Sequence, residues 1–303
     1  SPPLFQAVAA WGVARARRVP FVLEIRDLWP EFAIDMGVLK SGFLIALARS
    51  LEKFLYRTAD HIVVNSPAYV EYLAGRGVEP AKVSLIPNGV DPYMFRPDER
   101  GEEFREAWGL DDGSFAVLYA GALGMANDLA VVLRAAERIG KEAPRVRFML
   151  VGDGKERTNL EAQAREMGLG NVLFPGPVPK ARIPEVLAAA DACVATLLPI
   201  PMFKTTYPNK VFDYMAAGRP VILGIDGVIR SVVEEAGAGV FVTPGDDEAL
   251  AAAVLDLAFD RRRAAEMGVA GRSHVEAHFD RGAQAELFAG VLHGVVESGG
   301  ARA

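Results

Sequence analysis

Cysteine is almost absent from this chain: one residue, Cys193, in 303. A lone cysteine closes no disulfide, and its place in the apolar run DACVATLL marks it as a small buried hydrophobe rather than a nucleophile. Nothing demands an oxidising compartment, so a cytoplasmic setting fits. Histidine is nearly as scarce, and the four residues, His61, His274, His278 and His293, combine with cysteine at no transition-metal spacing. No apolar stretch reaches the length of a membrane span, and no short apolar core leads to a small-residue cleavage site. Basic charge is not in excess. The formal net charge is −6, with Lys and Arg scattered along the chain, which argues against a nucleic-acid partner and requires any anionic ligand to be caught locally. An initiating methionine is missing too: the chain opens SPPLFQAVAAWGVARARRVP, a helix already under way, so a truncated first domain is expected.

What remains is ample for a packed core: 51% apolar and 24% charged residues over a length that favours two domains. Short β-branched or apolar runs alternate with longer helix-period segments, the signature of βαβ units and parallel sheets. PFVLEI, HIVVN and KVSLI come first; FAVLYAG, RFMLVGDG, NVLFPG, DACVATL, PVILGI and AGVFV follow. The pattern predicts two Rossmann-like α/β domains, the first short of strands. Pro, Asn, Gly and Asp cluster near Pro92 to Pro97, which places the junction there, with a partial domain over 1–92 and a second over 93–279.

Ligands of open parallel sheets sit beyond the carboxyl ends of the strands. YAGALGMAN sets Gly121 and Gly124 after one strand, and VGDGKE sets Gly152, Asp153 and Gly154 after the next. Such glycines either let backbone amides approach a phosphate or sugar, or simply make tight turns. Neither loop has the three-glycine dinucleotide spacing. FPGPVPKARIP is stiffened by four prolines around Val178, so its main chain can read a planar base or serve as a rigid connector.

The stretch TTYPNKVFDYMAAGRPVI predicts a helix with Pro208 at its first position and Gly218 in the left-handed residue after its last turn. Its free amides lie by Thr206, Asn209 and Lys210. Together with the helix dipole and the Lys210 ammonium they suit a diphosphate without metal. Asp213, one turn further on, can accept two ribose hydroxyls or stand as a solvated helix residue. In the same stretch the alternative for Thr205 or Thr206 is an ordinary cap.

In one order, LIPNGVD, YAGALG, VGDG, FPGPVP, PNKVFDYMAAGRPVI, PGDDEALAAAV and AAEMGVAGRSHVEAHF resemble the retaining nucleotide-sugar glycosyltransferases of family four, which have the GT-B architecture. RDLWPE and PNK look most like the bacterial surface-polysaccharide branch, including N-acetyl-fucosamine transferases. The resemblance implies transfer of a sugar from a nucleotide-diphosphate donor to a glycan or lipid-linked acceptor with retention, with no cofactor and no metal; two aspartates flanking one residue, the metal-holding pattern of the other major transferase fold, occur nowhere. It implies that residues 280–303 form a helix returning toward the first domain.

Matched residue by residue, Asp213 takes the place of the second of two family glutamates and Thr205 that of the first, which faces the sugar. The basic pair usual on the loop GALGMANDL is missing, which moves the phosphate burden to Lys210 and Lys204. Where many members carry a histidine, this chain has Arg26, so Arg26 or Asp27 is the local catalytic candidate, Asp27 orienting an acceptor hydroxyl; the alternative is a buried Arg26–Asp27 pair or a helix cap. SGFLIALARSLEKFLYRTAD combines Leu44, Leu47, Leu51 and Leu55 with Arg49, Lys53 and Arg57. It reads as a core helix with a solvated basic side or, over 41–58, as a peripheral contact with the inner face of a membrane. A nucleotide-sugar epimerase of the same architecture and a non-catalytic nucleotide-sugar-binding module are the rival functions.

Overall fold

In the computed structural model, which describes residues 4–140 and 142–300, the chain divides into two units. One takes in Ser1–Gly89, Ile200–Tyr207 and Arg281–Ala303; the other takes in Val90–Pro199 and Pro208–Asp280.

The first unit has a parallel sheet of β1 (Val22–Ile25), β2 (His61–Val64) and β3 (Val83–Leu85) in chain order, with Val22 opposite His61 and Ile62 opposite Val83. Parallel neighbours need crossovers, and the helices Gly42–Thr58 and Pro67–Gly75 supply them. Leu23, Ile25, Ile62 and Val64 pack with Leu55, Tyr69 and Leu73 into one apolar cluster. Helix Gly42–Thr58 buries Glu52, Leu55 and Tyr56, yet leaves Phe43 77% and Leu47 55% exposed at its start. The buried Glu52 carboxylate is satisfied by the Tyr56 and Tyr72 hydroxyls, each at 2.9 Å, and by Arg76 at 3.0 Å.

Residues Ile200–Tyr207, read from sequence as part of the second domain, pack in this unit. Phe203 is buried and meets Phe32 edge-on at 6.0 Å, and the Ser66 hydroxyl donates to the Thr205 carbonyl at 2.6 Å. The last helix, Arg281–Gly300, also belongs here. Gly89 permits its close approach, since a Cβ there would sit 2.7 Å from Arg281 Cα.

The second unit carries six parallel strands: β4 (Phe115–Ala120), β5 (Val146–Val151), β6 (Val172–Gly176), β7 (Ala192–Thr196), β8 (Val221–Gly224) and β9 (Gly239–Phe241). Their order is β6-β5-β4-β7-β8-β9. That is the doubly wound arrangement, with helices on both faces and a reversal of winding between β4 and β7. Strands β4 and β7 are buried throughout, which explains their unbroken apolar sequence. Pro175 is tolerated because β6 lies at the sheet edge. Cys193 is fully buried on β7, and burial pushes its thiol pKa up, as expected of a packing residue.

Arg105, 6% exposed, stitches the entry to this sheet. Its guanidinium donates to the carbonyls of Ala189 at 2.7 Å, Asp111 at 3.0 Å and Ser114 at 3.2 Å, and pairs with Asp191 at 3.2 Å. Asp191 in turn accepts from the amide of Ala116 at 2.8 Å.

Candidate functional site

A doubly wound sheet opens a crevice where its winding reverses, here beyond the carboxyl ends of β4 and β7. Lys210 reaches this point from the helix Asn209–Ala216. Its ammonium donates to the Tyr119 hydroxyl at 2.7 Å and to Asn127 Oδ1 at 2.8 Å. Tyr214, one turn on, fixes the same helix face to β4: its hydroxyl accepts from the Ala120 amide at 2.9 Å and donates to the Ala120 carbonyl at 3.2 Å. Among the described residues no carboxylate pairs with Lys210, and burial alone draws its pKa down to about 7. An ammonium held by neutral groups keeps its charge uncompensated within the protein.

Tyr119 and Asn127 were not singled out by the sequence pattern. Tyr119 is the one polar tip in the otherwise apolar run FAVLYA, a signal that would have marked it. Asn127 sits in a loop whose glycines draw attention away from it.

Those glycines mainly let two loops pack. The Gly121 amide donates to Val151 at 3.0 Å, the Gly152 amide to Gly176 at 3.0 Å and the Gly154 amide to the Asp153 carboxylate at 2.9 Å. A Cβ on Gly152 would collide with the Gly121 carbonyl, and one on Gly154 with the carbonyl of Leu123. These three amides are thus engaged within the chain. Gly121 keeps a place in the site by room rather than by donation: a Cβ there would lie 3.2 Å from both Lys210 Nζ and Tyr119 Oη. Gly124 opens the turn Met125–Asn127 and accepts the Asn127 amide at 3.0 Å. Val178 is half-buried in the loop after β6.

Pro208 precedes the first helical residue instead of occupying it: it is extended at ψ 118°, and the helix begins with Asn209. Its carbonyl accepts the Val211 amide at 3.0 Å. Gly218 does take the left-handed conformation, at φ +67°, so the chain turns at once into β8. Asp213 lies part-buried one turn beyond Asn209. Thr205 and Thr206 belong to the first unit, and their hydroxyls serve their own turn, donating to the carbonyls of Met202 at 2.6 Å and Phe203 at 2.9 Å. They are turn formers rather than caps of the 209–216 helix.

In the first unit the carboxyl end of β1 presents Arg26 and Asp27. Arg26 pairs with Glu24 at 3.5 Å with about half of its side chain exposed, and its charge also acts on the neighbouring Asp27. Burial pushes the Asp27 carboxyl up, with Arg26 partly opposing the rise. Nearby Tyr69 is pushed up in turn, by burial and by the Asp27 charge. After β2 comes a residue the sequence pattern passed over: Asn65 is 8% exposed, and its Oδ1 has no hydrogen-bond partner among the described residues. Again among the described residues, no group of His, Cys, Asp and Glu is placed to hold a metal ion.

Two Rossmann-like units with parallel sheets, the second wound both ways from its switch point, define a protein of the GT-B class. Comparison with known proteins agrees. Residues 1–89 match the family described as "Glycosyl transferase 4-like domain", and residues 114–260 match "Glycosyl transferases group 1". Both parts of the chain are thus similar to glycosyltransferase domains. The D-inositol 3-phosphate glycosyltransferase 2 of Catenulispora acidiphila is 28% identical over 250 residues, 79% of this chain and 57% of the relative. A GDP-mannose-dependent alpha-(1-6)-phosphatidylinositol monomannoside mannosyltransferase of Mycolicibacterium smegmatis is 30% identical over 200 residues, 63% of this chain and 51% of the relative. The chain thus spans about half the length of the curated relatives it matches. Among solved structures, Anabaena Alr3699/HepE in complex with UDP and glucose aligns at 22% identity and a TM-score of 0.79, over 96% of this chain and 76% of that one.

Proposed function

We propose that this chain transfers a sugar from a nucleotide-diphosphate donor to a glycan or lipid-linked acceptor, with retention at the anomeric carbon, in the synthesis of a bacterial surface polysaccharide. The observation that carries the reading is the Lys210 ammonium, held at the sheet's switch point by neutral groups alone. Negative charge grows on the departing diphosphate in the transition state, and a preoriented cation there contributes several kcal/mol. Asn209 and the start of the 209–216 helix lie alongside, Asp213 suits the ribose, and Val178 and Gly124 border the base and sugar. With Lys210 meeting the phosphates, no metal or cofactor is needed. In the first unit, Asp27, with its raised pKa, orients the acceptor hydroxyl beside Arg26.

The setting in this reading is the cytoplasmic face of the cell membrane. It is supported by the exposed Phe43, Leu44 and Leu47 at the start of helix Gly42–Thr58, with Lys53 and Arg57 further along, a pattern suited to an anionic bilayer. No helix among the described residues is long and apolar enough to cross a membrane.

A thermal-shift screen of the common nucleoside diphosphates and their sugars, with and without chelator, tests the donor site. One diphosphate stabilises the protein equally in both conditions, by about 2.7 kcal/mol at a hundredfold excess over Kd. Loss of the shift in chelator overturns the metal-free reading. Product analysis then separates transfer from its rivals: an epimerase converts the donor with no acceptor present. A binding module, the reading favoured by Thr205 standing where the family has an acidic residue, leaves the donor intact.

A further inference from the structure

Lys210 is half-buried in a place where a structural lysine would be expected to have a carboxylate partner, because an uncompensated buried charge is costly. Its partners are instead a phenol and an amide, and both are themselves immobilised. The Tyr119 hydroxyl donates to the Ala122 carbonyl at 2.7 Å, and Asn127 Nδ2 donates to the same carbonyl at 3.0 Å. The Asn127 backbone is gripped at both ends, its amide by the Gly124 carbonyl at 3.0 Å and its carbonyl by the Thr196 hydroxyl at 2.6 Å. Thr196 is the last residue of β7 and Tyr119 the penultimate residue of β4, so the two strands flanking the switch point both hold the lysine's partners. The next residue, Asp128, stands at φ +45°, a conformation unfavourable for a side chain with a Cβ, and it places the turn that aims Asn127.

We propose that Tyr119 and Asn127 are positioning residues for donor binding, a neutral cradle that fixes the Lys210 ammonium beside Gly121 and leaves its charge for an anionic diphosphate. The inference rests on the reading of Lys210 given above. Neutrality is the essential property of the cradle: asparagine and aspartate have nearly the same shape, so a single atom at position 127 decides whether the ammonium is spent inside the protein or on the ligand. Loop GALGMANDL carries no basic residue of its own. The cation comes from the 209–216 helix, and the loop contributes acceptors of the right polarity.

The test compares Lys210→Ala, Asn127→Asp and Tyr119→Phe with the unaltered chain, by titration with UDP, GDP, ADP and dTDP and with the matching nucleosides. Asn127→Asp should lower affinity for the diphosphate by about tenfold or more, as a charge within ~4–6 Å of the anion requires, and leave the nucleoside unchanged. Its thermal midpoint should stay near that of the unaltered chain, because the ion pair gained with Lys210 offsets the Nδ2 bond lost to the Ala122 carbonyl. Tyr119→Phe should weaken the diphosphate, again without touching the nucleoside. If no diphosphate binds the unaltered chain, or if Lys210→Ala leaves diphosphate affinity unchanged, the reading of Lys210 fails and the cradle with it. If Lys210→Ala weakens the diphosphate while Asn127→Asp does not, the Lys210 reading stands and the cradle is overturned. Should Asn127→Asp unfold the protein, Tyr119→Phe decides: equal loss for nucleoside and diphosphate, or no loss at all, overturns the proposal.

Discussion

Raising the pH should release a bound nucleoside diphosphate, because Lys210 titrates at about 7 in the free protein. Burial without a counter-charge is the cause. An anion reverses that balance by favouring the ammonium, so above pH 7 the protein must take up a proton to bind. The sign follows: the free lysine is neutral there and the bound one charged, and each further pH unit lowers affinity by up to about tenfold. Between pH 7 and 9 the charged fraction of free Lys210 falls from about one half to about one in a hundred, so affinity drops by up to roughly fiftyfold, or about 2.3 kcal/mol. The ligand adds little in this window, since phosphate's last ionisation lies near ~6. Calorimetric titration in buffers of different ionisation enthalpy measures both quantities, the affinity and the protons taken up. Proton uptake should approach one per ligand at the upper end, while the matching nucleoside binds equally at every pH. Diphosphate affinity constant from pH 7 to 9, with no proton uptake, refutes the reasoning.

Two further outcomes follow from single residues. Asp213→Asn should weaken nucleoside and nucleoside diphosphate alike, by about 1.5–3 kcal/mol, because a ribose contact is common to both ligands; unchanged nucleoside affinity removes Asp213 from the site. Arg105→Ala should destabilise the second unit by about 1–3 kcal/mol in denaturant unfolding, since the Ala189 and Asp111 carbonyls lose their guanidinium donor while Asp191 keeps the Ala116 amide and Arg261, and a loss below about 0.5 kcal/mol contradicts that network.

The alternation of apolar runs with helix-period segments sufficed for the nine parallel strands, in two sheets, found among the described residues, because a strand buried on both faces needs an unbroken run such as FAVLYA and a parallel neighbour needs a crossover. Lys210 and the left-handed Gly218 were legible for the same kind of reason: each answers to local chain geometry, a helix start or a helix end, which a few consecutive residues specify. Strand order was not local. Only the tertiary structure put β4 beside β7, and with that pairing came the candidate site: Tyr119 and Lys210, 91 positions apart, meet with Asn127 and Thr196 through side-chain hydrogen bonds that no spacing encodes. The glycines show the same limit from the other side. Sequence placed Gly152 and Gly154 correctly at a strand end, but only the tertiary structure shows that a Cβ on either would collide with a neighbouring loop's carbonyl. Thr205 and Thr206 read as the opening of a helix, yet the segment Ile200–Tyr207 packs in the first unit, because Phe203 finds its apolar partner in Phe32 and the Thr205 carbonyl its donor in Ser66, contacts formed across more than a hundred residues. Composition and periodicity fix what each segment can become; which segments share their hydrogen bonds and buried surface is settled only when the chain closes on itself.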